Sequence, residues 1–113
     1  FVQAVDGALP LGMLEHLQGC FGRDALYWRE HDYHSEQTGY FSYLHKLSET
    51  PTSNLEQIIE HVRGLCVQRF PKVVEAQYCE MWAHCRPHAS GHQMHFDSDD
   101  EGLGGVRNPI VST

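Results

Sequence analysis

Trp82-Ala83-His84-Cys85-Arg86-Pro87-His88-Ala89-Ser90-Gly91-His92-Gln93-Met94-His95-Phe96-Asp97 concentrates four of the chain's nine histidines in sixteen residues. Just upstream, Val74, Ala76 and Tyr78 alternate with Glu75 and Gln77, the period of two expected of a strand with one face turned inward. That strand is expected to run into the histidine-rich stretch, turn at Ala89-Ser90-Gly91 and resume as a short extended segment from His92 to Phe96. In an extended chain residues two apart share a face, so His95 and Asp97 direct an imidazole and a carboxylate at one point. These are two metal donors. A neutral imidazole nitrogen and a carboxylate oxygen suit Fe(II), and one more histidine would complete a facial triad that leaves coordination positions open.

Before this stretch the pattern is helical. Ser53-Asn54-Leu55-Glu56 is a capping box, in which the Ser hydroxyl and the Glu carboxylate each satisfy a backbone N–H left over at a helix start. Leu55, Ile58, Ile59, Val62, Leu65 and Cys66 then step by three and four and form an apolar stripe, with Gln57, Glu60 and Arg63 facing water. Pro71 ends the helix. His61 has no partner four residues away and reads as a boundary residue. Nearer the start, Leu11, Leu14 and Leu17 predict a shorter helix over residues 12–17, stopped near Gly19 and Gly22. Between the two helices, Tyr27, Trp28, Tyr33, Tyr40, Phe41 and Tyr43 keep no stable period and predict a long loop over residues 27–43, anchored to the core by its aromatics. The fold class is thus α+β, with residues 1–71 a helical and loop part and residues 72–113 the beginning of an antiparallel β structure, all in one domain or fragment.

Composition narrows the function classes. The 113 residues are the size of one small domain, for which about 65% of the unfolded chain's surface is buried on folding. Eight Lys+Arg against 15 Asp+Glu leave a formal charge of -7, which repels nucleic acid and anionic lipid. No run approaches the roughly 18 apolar residues of a membrane span, and Phe1 to Asp6 lack the basic and apolar regions of a secretory signal. Cys20, Cys66, Cys79 and Cys85 form no Cys-x-x-Cys pair, so reduced thiols in an intracellular, reducing setting are expected.

Three stretches share a wider likeness: Trp82 to Pro87, Gly91-His92-Gln93-Met94-His95-Phe96-Asp97-Ser98-Asp99, and Arg107-Asn108-Pro109-Ile110-Val111-Ser112-Thr113. Together they resemble the 2-oxoglutarate and Fe(II)-dependent oxygenases, nearest to the prolyl 4-hydroxylase-like branch. The resemblance covers roughly residues 73–113; residues 1–71 carry no motif of that family. It implies a double-stranded β-helix, or jelly-roll barrel, preceded by helices, with His95 and Asp97 matching two iron ligands at the end of an early strand. It implies Fe(II) and 2-oxoglutarate as cofactors, oxygen as cosubstrate, and hydroxylation of a protein side chain or small molecule coupled to formation of succinate. His84 and Arg86, two apart and sharing a face with His88, are candidates for touching the cosubstrate's carboxylate.

The family's third ligand, a second His, and the basic residue that anchors 2-oxoglutarate come from late barrel strands. Ile110-Val111-Ser112-Thr113 reads instead as a strand just beginning, so the expectation is a truncated barrel belonging to a longer parent. The alternative is a catalytically incomplete barrel that serves as a structural or interaction subunit, with a protein partner covering the strand edge. Two other metal readings fall short. Asp97-Ser98-Asp99-Asp100-Glu101-Gly102 imitates the first half of a calcium loop, but its twelfth position is Asn108 where a bidentate Glu is needed. Cys79, Cys85, His88 and His92 match no zinc-finger spacing, and Cys79 and Cys85 would lie about 20 Å apart along an extended strand.

Overall fold

The computed structural model describes residues 3–33 and 41–85 together with Thr113. The chain opens with helix α1, Leu11–Phe21, which begins after Pro10 and stops at Gly22. It covers the predicted helix and adds a turn at its C-terminal end. Gly22 is required there, because a Cβ at this position would stand 2.6 Å from the Gln18 carbonyl oxygen. The leucine stripe that announces α1 is only partly used: Leu11 and Leu14 are exposed and Leu17 is half-buried.

A second helix, α2, spans Leu26–Glu30. Strand β1 follows at Phe41–Lys46. Both fall within or across the boundary of the predicted loop and correct it. The helix is a single turn and too short to show a period. The strand owes its existence to pairing with chain more than thirty residues away, which local alternation does not reveal.

Helix α3, Asn54–Arg69, starts with the expected capping box: Glu56 N–H donates to Ser53 Oγ at 3.1 Å, and Ser53 N–H donates to Glu56 Oε2 at 3.1 Å. The Glu56 carboxylate also accepts from Thr52 N–H at 2.6 Å and from the Thr52 hydroxyl. These bonds, led by the Thr52 and Ser53 N–H groups, hold its carboxyl below the usual carboxylate range. A depressed folded-state value makes the contribution fully present above the unfolded carboxylate pKa of about 4.3 and progressively lost as pH falls through the lower folded value. Helical circular dichroism is therefore expected to begin falling only below about pH 4, and a constant signal down to pH 2 would count against this role. Replacing Ser53 by Ala is expected to cost about 1 kcal/mol, read as a drop of about 4 °C in melting temperature.

Ile58 is the buried member of the α3 stripe, and Leu55, Ile59, Val62, Leu65 and Cys66 are half-buried. Glu60 and Arg63 do not simply face water. Arg63 Nη1 lies 3.2 Å from Glu60 Oε2, its Nη2 donates to the Val74 carbonyl at 2.8 Å, and Glu60 Oε1 accepts from Ser48 N–H. His61 is a boundary residue whose Nε2 donates to the Ala8 carbonyl at 2.7 Å, tying the N-terminal segment to α3.

Pro71 ends α3 as expected, but the residues after it form a 3-10 turn, Pro71–Glu75, and not the start of a strand. Proline's fixed φ suits the first position of a helical turn, and Arg63 captures the Val74 carbonyl. Strand β2 is Tyr78–Ala83. It pairs antiparallel with β1 in the register Phe41↔Ala83, Tyr43↔Met81, His45↔Cys79, Lys46↔Tyr78. Its partner is thus earlier in the chain; the expected partner after it, residues 92–96, lies outside the described residues. The observed class is α+β, with three α-helices and a two-stranded antiparallel sheet among the described residues.

One face of the sheet, with His45, Cys79 and Met81, turns toward the helices. The other carries Leu44 (70% exposed), Tyr78 and Trp82. Among the described residues the buried hydrophobic core is small: Trp28 and Ile58, each 5% exposed. No helix among them is long and apolar enough to cross a membrane.

Candidate functional site

Of the residues predicted to carry chemistry, His95, Asp97 and Arg86 lie outside the described residues, as do His88, His92 and the acidic stretch 97–102. His84 is described. It is half-buried just past the end of β2, with its ring edge-on to Trp82 at 4.7 Å between centroids and an interplanar angle of 76°. The structure therefore describes β2, which precedes the other predicted residues in the sequence, and the wall that meets its last residue, Ala83.

That wall is aromatic. Trp28 packs against Tyr27 and Tyr33 in edge-to-face pairs, each with centroids 5.1 Å apart, and against Phe21 at 6.1 Å. Its indole N–H donates to the Gly22 carbonyl at 2.8 Å, so the buried ring leaves no donor unpaired. Asp32, at φ 53°, turns the chain after α2 in a conformation that aspartate tolerates better than most residues. The turn delivers Tyr33, whose hydroxyl donates to the Ala83 carbonyl at 2.7 Å. The exit of β2 is thus pinned to α2 by a residue fifty positions earlier. Tyr27 stacks on His31 at 4.3 Å. Burial, with the Tyr33 hydroxyl and then the Tyr43 phenol nearby, pushes the Tyr27 phenol well above its ordinary pKa, so it stays protonated.

The His31 tautomer follows from its partners. Nδ1 faces the Tyr27 carbonyl at 2.9 Å, and a carbonyl only accepts, so Nδ1 carries the proton. Nε2 then accepts from the Tyr43 hydroxyl. The expected role of these aromatics, anchoring a connecting segment to the core, agrees with this geometry; the specific ties of Tyr33 to Ala83 and of His31 to Tyr43 had no signal in local spacing.

Among the described residues no three His, Cys, Asp or Glu side chains converge to hold a metal ion. Cys79 is half-buried, and burial, followed by Glu60, Cys66 and Glu80, pushes its thiol up, away from the thiolate a metal requires. Cys85 is exposed beyond β2, and all four cysteines are free thiols. On the inner face of the sheet the buried His45 Nε2 has no hydrogen-bond partner. It adjoins a space of about 10 Å3 lined also by Ser48, Glu56, Ile59 and Glu60, the size of one water molecule.

His16 and Cys20 carry no motif, but their four-residue spacing places them on one side of α1, with Cys20 Sγ 3.5 Å from His16 Nε2. The other ring nitrogen of His16 lies 3.5 Å from the side-chain amide of Asn54, the first residue of α3. No protein family, curated protein or solved structure matches the chain.

Proposed function

We propose that the chain carries the opening strands of an Fe(II)- and 2-oxoglutarate-dependent oxygenase, with His95 and Asp97 as two of the iron ligands. The observation that carries this reading is the His95-x-Asp97 spacing within the family-like stretches from Trp82 to Thr113. The order of helices followed by a strand, β2, upstream of the motif supports it, because that order is the one the resemblance implies. The finer expectation of a jelly-roll barrel belongs to the same proposal.

The donor set suits the group it would hold: one imidazole and one carboxylate are two of the three ligands of the facial triad that binds non-haem Fe(II). When bound, Fe(II) with 2-oxoglutarate and oxygen supplies oxidation of an unactivated C–H bond of a side chain or small molecule. The chain's own part is positioning and shelter. Ala83, held by Tyr33, fixes where β2 ends, and the Trp82 and His84 rings pack edge to face at that end. His84 and Arg86 are the candidates for meeting a carboxylate. Binding of Mn(II), a redox-stable stand-in for Fe(II), tests the ligand assignment by equilibrium dialysis: His95→Ala and Asp97→Ala are each expected to weaken it more than about tenfold. Equal binding by the natural protein and both variants would overturn the assignment.

A second reading rests on a separate observation. The outer sheet face exposes three large apolar side chains, Leu44, Tyr78 and Trp82, among Ser42, Lys46 and Glu80, and exposed apolar side chains of this size occur at surfaces that meet a protein partner. In that reading the barrel is catalytically incomplete and acts as a structural or interaction subunit, and metal binding at His95 and Asp97 is absent.

A further inference from the structure

The Tyr43 hydroxyl meets an imidazole whose tautomer its surroundings fix. Strand β1 places Tyr43 opposite Met81, on the sheet face that turns toward the helices, and His31 is the residue that follows the last of α2. The two rings meet edge to face, with centroids 5.7 Å apart and an interplanar angle of 79°. His31 Nδ1–H donates to the Tyr27 carbonyl at 2.9 Å, which leaves the ring's lone pair on Nε2, the nitrogen that accepts from Tyr43. The imidazole is therefore a base on the side where the phenol proton sits. Its surroundings also suit the cation it would become. The Tyr27 carbonyl keeps its hydrogen bond to the imidazolium, and the Tyr27 ring, stacked on His31 at 4.3 Å and 28°, offers it a π face.

The other described tyrosines are placed differently. Burial holds the Tyr27 phenol protonated, well above its ordinary pKa. Tyr33 donates to the Ala83 carbonyl at 2.7 Å, and a carbonyl accepts a hydrogen bond without taking the proton. Tyr78 lies on the outer sheet face and is the more exposed, 53% against 37% for Tyr43, with no imidazole against its hydroxyl among the described residues. Removing an electron from a phenol makes its hydroxyl a strong acid. A base already hydrogen-bonded to that hydroxyl lets the proton leave with the electron, which lowers the barrier as positioned bases do.

We infer that Tyr43 is a redox-active tyrosine, the described phenol that one-electron oxidants of the nitrogen dioxide and carbonate radical class oxidise first, with His31 as its proton acceptor. In the step, one electron passes from the Tyr43 ring to the oxidant and the hydroxyl proton passes to His31 Nε2, leaving a neutral phenoxyl radical beside an imidazolium. The oxidant is reduced, nitrogen dioxide to nitrite or the carbonate radical to carbonate. A second nitrogen dioxide then bonds to the ring carbon next to the phenol oxygen. That carbon gives up its proton, the oxygen regains one, and the product is a nitrotyrosine; His31 returns its extra proton to solvent.

The test treats the whole chain with peroxynitrite in bicarbonate buffer near neutral pH, which supplies both radicals, and maps nitration tyrosine by tyrosine by mass spectrometry. Tyr43 is expected to be nitrated about tenfold or more faster than Tyr78, the reverse of their order of exposure. His31→Ala is expected to slow Tyr43 about tenfold or more and to leave Tyr78 unchanged, and imidazole added to the buffer is expected to restore part of the lost rate. Tyr27 reports on folding, since loss of structure would expose it and raise its nitration. Should His31→Ala raise Tyr27 in this way, His31→Gln, which keeps a donor for the Tyr27 carbonyl and has no basic nitrogen, must show the same loss at Tyr43. The proposal is overturned if Tyr43 reacts no faster than Tyr78 in the natural protein, or if the folded variant keeps Tyr43 at its natural rate. It is equally overturned if imidazole restores nothing to a folded His31→Ala, which would make His31 a structural residue only.

Discussion

Supplied with Fe(II), 2-oxoglutarate and ascorbate, the natively purified protein is expected to release succinate, and the Asp97→Ala variant to release none above the enzyme-free background. Loss of a ligand should cost more than the 10- to 100-fold typical of groups that merely orient ligands, so the expected drop exceeds about 100-fold. His95→Ala should behave alike, because the two side chains are proposed to bind one ion and neither replaces the other. Arg86→Ala should act differently. If Arg86 meets the cosubstrate's carboxylate, its loss raises the 2-oxoglutarate concentration needed for half-maximal rate and leaves Mn(II) binding intact. Succinate release equal in the natural protein and Asp97→Ala would remove the proposed ligands from the reaction. Absence of both metal binding and succinate would transfer the assignment to the interaction-subunit reading, for which Leu44→Glu and Trp82→Glu should then abolish partner capture.

The largest expected loss of stability is at Trp28. Truncation of a buried Trp to Ala costs about 3–5 kcal/mol, against about 5–15 kcal/mol for a whole domain. Trp28 is one of two buried hydrophobic side chains among the described residues, so little else compensates. The change removes ring contacts with Phe21, Tyr27 and Tyr33 and leaves the Gly22 carbonyl without its indole donor. Trp28→Phe keeps a ring and loses the N–H bond, and its cost is expected near 1 kcal/mol. Urea unfolding followed by far-ultraviolet circular dichroism checks both. A Trp28→Ala midpoint within 1 kcal/mol of the natural protein would mean that the aromatic cluster is not the core it resembles. Because Tyr33 leans on Trp28 and holds Ala83, Trp28→Ala should also loosen the end of β2.

The legible parts of the fold are those whose causes are local. Ser53 and Glu56 lie three residues apart, so the start of α3 is written in four residues, and Pro71 marks its end as directly. Strand β1 was illegible because its cause is distant: Phe41 to Lys46 become a strand by pairing with Tyr78 to Ala83, and their outer face carries Leu44 where alternation calls for a polar residue. Val74 and Ala76 misled for the opposite reason. Three alternating residues suffice to suggest a strand, yet Pro71 and the capture of the Val74 carbonyl by Arg63 set a 3-10 turn there. For the candidate site, the assignment of His95 and Asp97 rests on spacing and family likeness, and both lie outside the described residues. The Tyr33–Ala83 tie and the His16–Cys20–Asn54 cluster depend on how separate elements meet, or on a pairing too short to stand out from chance.

The sheet is in effect a hairpin whose connection contains an entire helix. Closing a flexible connection of about 30 residues costs on the order of 3 kcal/mol of chain entropy before any strand bond forms. If α3 forms first, much of that connection is already a rod of about 24 Å, and the ends of β1 and β2 meet with far less searching. The residues that start α3 would then govern how fast the sheet assembles as well as how stable the helix is. In stopped-flow refolding, Ser53→Ala would show its cost mainly as slower folding, with the unfolding rate nearly unchanged. Strand pairing in this protein would be timed by a serine seven residues beyond the last residue of β1.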